Sequence, residues 1–306
     1  MDIQILFTQM IQMMLMILVG WLLRKVKLLD AGFTGKLTTL LLNVTVPCMI
    51  LASVMTQTAE RNLGEAALVF GFGLVLYTLL PLFSLLLVKL LRFPLEQQGV
   101  YTFMMAYSNV GFMGFPLINA LYGSDALFYT AIINVIFTIS TYTIGLALMH
   151  HGSGRKATIR PKTFLTPGVL LSLFAMVLYL LDLRFPDPLV SAVDSIGDLT
   201  TPLAMFCIGS TLASMSPKNI FNDWRVYLFS VVKQVLLPLL LLPVLRLVIS
   251  SDYLRGILYV LILTPVANSS VLFATQYGFD EKLAAKGVFI TTILSMVTIP
   301  LLGTLL

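Results

Sequence analysis

Between residues 68 and 88 the chain carries no charged side chain, and further apolar blocks follow at 169–181 and 235–245. A run of this length suits a bilayer, because about 30 Å of hydrocarbon takes roughly 20 residues of helix to cross. Such runs also restrict the backbone. Without water, every N–H and C=O must be satisfied internally, which leaves helices and closed barrels. The chain is 58% hydrophobic and 11% charged, against about 25% charged in soluble domains. So few charges cannot clothe a soluble surface of this size. The expected class is an all-α polytopic membrane protein surrounded by membrane lipid.

Ten segments meet the span criterion: about 4–23, 36–56, 66–89, 99–121, 126–149, 164–182, 190–213, 225–248, 256–276 and 283–305. The excess of positive charge lies in the loops between them. Fourteen loop Lys and Arg residues fall on one side, including Arg24, Lys25, Arg155, Lys156, Arg160, Lys162 and Lys218. Four fall on the other, Arg61, Arg184, Arg246 and Arg255. Cytoplasmic loops carry the excess, so both termini are expected outside and the 150–163 connection in the cytoplasm. The net charge of +5 is thus accounted for by orientation. No basic face with stacking aromatics points to a nucleic-acid partner. Cys48 and Cys207 lie within apolar segments and read as packing residues, and no cleavable signal peptide is expected at the N-terminus.

A shift of 155 residues carries Pro47 onto Pro202, Tyr122-Gly123 onto Tyr277-Gly278, and Asp125 onto Asp280. The halves 1–149 and 164–306 each hold five expected spans. Five is odd, so the second half enters from the opposite side, and the repeat is an inverted one.

The same shift superposes two interrupted apolar stretches, Ser108-Asn109-Val110-Gly111-Phe112-Met113-Gly114-Phe115-Pro116 and Thr264-Pro265-Val266-Ala267-Asn268-Ser269-Ser270, although their prolines do not coincide. Gly/Pro-interrupted spans at matching places in two halves point to a transporter's central site. Pro116 and Pro265 lack a donor and disrupt the preceding turn. Gly111 and Gly114 permit close approach and unusual dihedrals. The expected construction is two broken helices whose second halves offer N–H groups and positive dipole ends to an anion. Ser108, Asn109, Asn268 and Ser269 would complete that shell.

A second set, Asn43-Val44-Thr45-Val46-Pro47 with Thr201 and Pro202, reads either as a wall facing the broken helices or as kinks for packing. Lys233, beside Gln234, sits about nine residues into the eighth span. An intramembrane ionisable group is a functional candidate, as a counter-charge or a proton-responsive group. Its stem could equally snorkel to the interface. Asp198 is a candidate for a cavity-facing or proton-binding carboxylate, with Asp194 nearby, or else a solvated one. Gly71-Phe72-Gly73 reads as close helix packing. No His/Cys/Asp cluster has ligand spacing and no phosphate-binding Gly-rich loop precedes a lysine. Neither an enzyme, a metal site nor a cofactor is therefore expected.

Taken together, 43–47, 108–123, 202–209 and 265–278 resemble the auxin efflux carrier family, including bacterial members described as malonate or organic-acid permeases. The resemblance covers essentially the whole chain. It implies ten spans in inverted five-helix repeats, with the fourth and ninth crossing at their breaks as in sodium/proton antiporters and bile-acid symporters. Spans 1, 2, 6 and 7 would form a scaffold, through which a homodimer could form, and spans 3–5 and 8–10 a moving domain. By this resemblance Asn109 and Pro116 fall in one crossover segment and Pro265, Asn268 and Ser269 in the other. The central connection, only about 14 to 17 residues, favours the compact bacterial form in the inner membrane. The implied activity is secondary active transport of a small organic anion, a carboxylate or auxin-like acid, by elevator-type alternating access. Because the breaks hold no carboxylate, proton coupling or uniport fits better than sodium. An ion channel or a non-transporting receptor are the alternative classes.

Overall fold

The computed structural model describes residues 3–56, 62–151, 167–181, 183, 185–214 and 223–306. Among the described residues all regular structure is helical, apart from one isolated two-residue bridge. Seven helices are long and apolar enough to cross a membrane: Phe7–Lys25, Ala31–Met55, Leu63–Leu90, Asp125–Met149, Asp187–Ser214, Trp224–Val248 and Glu281–Gly303. The other three expected spans are not continuous long helices. Two are interrupted, as α5 (Leu95–Ala106) followed by α6 (Phe115–Tyr122), and as α14 (Asp252–Leu263) followed by α15 (Ser269–Tyr277). The sixth is α9 (Pro167–Leu181), with residues 164–166 and 182 outside the described set. Arg61, Arg155, Lys156, Arg160, Arg184, Lys162 and Lys218 of the orientation count also lie outside the described residues, as does most of the central connection.

Three prolines share one local device. A π turn covers Leu41–Thr45, Val110–Gly114 and Val232–Leu236, and each ends two residues before Pro47, Pro116 or Pro238. Proline removes a donor and clashes with the carbonyl four residues back. Widening the preceding turn relieves that clash: Val46 N donates to Leu41 O and Leu237 N to Val232 O, five residues back in each case. Pro202 behaves differently, because it is the third residue of α11 (Thr200–Ser214), after α10 (Asp187–Asp198) has stopped. A first-turn proline costs nothing, since that N–H lacks an intrahelical partner anyway. Pro47 and Pro202 are therefore matched in sequence but not in local structure.

The Tyr-Gly pairs also have a local explanation. Gly123 ends α6 with φ of 80°, and Gly278 ends α15 with φ of 72°. Positive φ favours glycine as a helix stop. Two residues on, Asp280 caps α16 (Glu281–Gly303) by accepting from Leu283 N at 2.9 Å, and Asp125 opens α7 (Asp125–Ser140). The motif turns one helix into the next.

The chain divides into two compact units. The first comprises residues 1–69, 110–135 and 165–216, and the second 70–109, 136–164 and 217–306. In the first, α1 (Ile3–Lys25) packs on α11 so closely that a Cβ on Gly20 would lie 2.5 Å from Phe206 O. Gly197 of α10 likewise abuts Met49 of α3 (Val46–Met55). α2 (Ala31–Leu40) joins α11 through Thr34 Oγ1 and Ser210 Oγ, 2.7 Å apart.

In the second unit, Tyr77 of α4 (Leu63–Leu90) stacks on Tyr107, and Ser140 Oγ lies 2.8 Å from Tyr107 Oη while donating to Tyr77 O. Gly287 of α16 lies tight against Met104 of α5. Gly71 departs from the packing expected of it: a Cβ there would meet no heavy atom within 4 Å.

Candidate functional site

The break after α14 is written into its own sequence. Thr264 precedes Pro265, and the proline ring pushes the residue before it out of the helical region. Thr264 accordingly takes φ −62° and ψ 149°, ending the helix at Leu263, and Thr264 Oγ1 donates to Leu261 O at 2.7 Å. The break after α5 has no such proline. Tyr107 is nonetheless extended, at φ −110° and ψ 109°. What holds it is the other break: Asn109 N donates to Pro265 O at 2.7 Å, and Ala267 N donates to Tyr107 O at 3.0 Å. These two bonds flank an antiparallel bridge between Ser108 and Val266. Both segments lie in the second unit, so their exposed-by-breakage backbone groups satisfy one another within an apolar interior.

Side chains from the π turn that follows α12 (Trp224–Val231) and from α16 close around this junction. Lys233, in that π turn, is 1% exposed, and its Nζ donates to Ser108 Oγ at 2.7 Å. Ser108 Oγ in turn donates to Ile262 O at 3.4 Å, in the last turn of α14. Its hydroxyl thus ties three elements together. Gln234 Nε2 donates to Leu263 O and to Thr291 O, each at 3.4 Å. Thr291 Oγ1 accepts from Val266 N at 3.2 Å. Snorkelling, one of the two sequence readings of Lys233, does not occur: the stem turns inward to the junction.

Ser108, Asn109, Pro265, Asn268, Ser269, Lys233 and Gln234 all belong to the second unit. Asn109 is 4% exposed, whereas Asn268 and Ser269 are half-buried at the start of α15. The N–H groups expected to be open there are partly used. Ser270 N donates to Ala267 O, and Val271 N and Leu272 N donate to Asn268 O. Asn268 makes no side-chain cap, and Ser269 Oγ lacks a partner among the described residues. On the other broken span, Gly111 has free space beside it, since an added Cβ would meet nothing within 4 Å.

The remaining candidates belong to the first unit: Gly114 and Pro116, buried where the π turn meets α6, with Asn43, Pro47, Thr201, Pro202 and Asp198. Asp198 and Asp194 stand one turn apart on α10 and line a cavity of about 310 Å³ with Ser53, Thr56, Asn119 and Ser124. Asn43, Pro47, Thr201 and Pro202 do not line it.

Tyr107, Val266 and Thr291 were not singled out from the sequence. Thr291 had a readable signal, because Thr291, Thr292, Ser295 and Thr298 form a buried hydroxyl stripe along the apolar α16. Among the described residues no group of three or more His, Cys, Asp or Glu side chains is placed to hold a metal ion.

Residues 5–302 match the family described as membrane transport protein. An uncharacterized transporter of Methanothermobacter thermautotrophicus is 23% identical over 309 residues, covering 95% of each chain. A protein of Rhizobium meliloti, provisionally named a malonate transporter, is 24% identical over 87% of this chain and 84% of its own. An uncharacterized transporter of Methanocaldococcus jannaschii is 23% identical over 69% of each chain. With its match running nearly end to end, the chain belongs to the membrane transport protein family, the auxin efflux carrier family whose motifs its broken segments carry.

Proposed function

We propose that this protein is a secondary active carrier for small organic anions, with carboxylates such as malonate as the first substrates to test. The observation that carries the reading is the junction in the second unit, where two broken segments pair backbone to backbone beside a buried lysine. Irregular backbone at membrane depth is tolerated where protein buries it or a cavity uses it. The start of α15, at Asn268 and Ser269, follows directly on that junction within the same unit and adds a positive dipole end. The Rhizobium relative's name supports a carboxylate as the substrate class.

In this reading the fold is ten spans in two inverted repeats, both termini face outward, and the inner membrane is the location. Transport follows an elevator-type cycle in which the crossover carries the anion. The test is a thermal-shift screen of purified protein against mono- and dicarboxylates at two pH values, with and without sodium. Saturable stabilisation by a carboxylate, lost in Asn109→Ala and in Asn268→Ala, supports the reading. Stabilisation that both variants retain places the anion elsewhere and overturns the proposed site.

A further inference from the structure

The cavity of about 310 Å³ in the first unit has a chemistry that the carrier reading does not use. Three segments that are remote in sequence form it. Ser53 and Thr56 line it from the last turn of α3, three residues apart and so on one helix face. Asp194 and Asp198 line it from α10, at the i, i+4 spacing that also makes neighbours. A close approach holds these two faces together, because a Cβ on Gly197 would lie 2.8 Å from Met49 Cα. Asn119 of α6 and Ser124, just past the Gly123 stop, supply the third side.

What these groups can still bond decides the ligand. Ser53, 1% exposed, gives its hydroxyl proton to Ile50 O at 2.7 Å, and Thr56 gives its own to Ala52 O at 2.7 Å. A hydroxyl whose one proton is committed offers only lone pairs. Carboxylates likewise accept and do not donate, and two of them one turn apart repel each other. Asn119 and Ser124 carry no side-chain hydrogen bond among the described residues, so their oxygens are free to join the set. Among the described residues no basic side chain lines the space. An anion gains nothing from such a wall, whereas a cation satisfies every group in it. Oxygen-only sets suit hard cations, and magnesium in particular is held by one or two carboxylates while it keeps several waters. The volume of about 310 Å³ accommodates an ion with its water, since one water takes about 30 Å³.

We infer that this cavity binds a hydrated divalent cation of the magnesium or calcium type, held by Asp194 and Asp198 and completed by the oxygens of Ser53 and Thr56. The site belongs to the first unit and uses none of the residues of the paired breaks. It therefore stands or falls independently of the anion-carrier reading. No ligand spacing in the sequence announces it, because four of its six polar groups are neutral.

The test melts the purified, chelator-treated protein in a neutral detergent at constant ionic strength, with no carboxylate present. Magnesium, calcium, sodium, putrescine and choline chlorides are titrated in turn. Wild-type Tm is expected to rise saturably with magnesium or calcium and to stay level with choline. Asp194→Asn and Asp198→Asn should each lose that rise. Asp187→Asn, on the same helix but outside the cavity, should keep it. Neutralising one aspartate also removes the repulsion between the pair, so without divalent ions both variants should melt at or above the wild-type Tm. Thr56→Val, which carries no change of charge, should move the midpoint of the rise to higher concentration. Absence of a divalent response in wild type overturns the inference, and so does a response that both aspartate variants retain. Loss of the response in Asp187→Asn marks a general surface-charge effect and overturns it too. A rise with putrescine alone, or one with sodium equal to that with magnesium, overturns the divalent assignment.

Discussion

The two breaks in the second unit solve the same backbone problem by different means. The one after α14 is intrinsic: Thr264-Pro265 cannot continue the helix, and Thr264 bonds back to its own last turn. The one after α5 is imposed: no proline interrupts 107–109, and the chain stays extended because Asn109 and Tyr107 are bonded to the partner break. Their side-chain anchors differ as well. Ser108 is tied to the buried amine of Lys233, whereas Val266 is tied to a threonine hydroxyl on α16. One break acts as a template and the other as its complement. The difference teaches that a broken helix need not carry its own breaker.

Substitutions can break this asymmetry or sharpen it. Ala267→Pro removes the N–H that donates to Tyr107 O and places a ring in the bridge. It should cost about 3 kcal/mol or more, seen as loss of a folded monodisperse species or a large fall in Tm. Ser108→Ala leaves the buried Lys233 amine without its acceptor and Ile262 O without its donor, and should cost about 2–3 kcal/mol, since a buried polar group left unsatisfied costs its full desolvation. Thr291→Val, which deprives Val266 N of a neutral partner, should cost about 1–2 kcal/mol in the same denaturation assay. A smaller Ser108→Ala effect than Thr291→Val would reverse the assignment of the stronger anchor. Pro265→Ala relaxes the template, and the Asn109 and Ala267 amides should then exchange roughly tenfold faster, about 1.4 kcal/mol of local opening. Slowest to register is Thr264→Val, where a lost local bond to Leu261 O should change Tm by the equivalent of about 0.5 kcal/mol.

Much of this architecture was legible because hydrocarbon leaves few backbone options. The long apolar helices follow from charge-free runs, and the break after α14 follows from Thr264-Pro265, whereas the Gly and Asn near the break after α5 marked its neighbourhood without fixing its position. The 155-residue interval was legible too, but part of its meaning was local. Tyr-Gly with Asp two residues later is a helix stop followed by a helix start, a device any helical hairpin can use. The interval also drifts at the breaks: α5 and α14 end at Ala106 and Leu263, whereas α6 and α15 stop at Gly123 and Gly278. The second half of the fourth span, Val110–Tyr122, is longer than Ser269–Tyr277. The prolines do not superpose because Pro265 lies in its break, whereas Pro116 lies in the first turn of α6.

Other features could not be read from the chain. Sequence alone leaves Lys233 free to snorkel or turn inward, because the stem reaches either way. The choice depends on Ser108, 125 residues distant in sequence. Pairing of 107–109 with 265–267 is a tertiary register, and no local propensity encodes it. The cavity beside Asp194 and Asp198 arises from three chain segments that are remote in sequence.

The central claim is that the paired breaks form the anion site of a carrier. Its most direct measurement is uptake of radiolabelled malonate into proteoliposomes by wild type and by the double variant Asn109→Ala, Asn268→Ala, after both are shown to be folded by Tm. The account predicts saturable uptake by wild type and loss of that uptake in the folded double variant. Uptake by the double variant at the wild-type rate would contradict it.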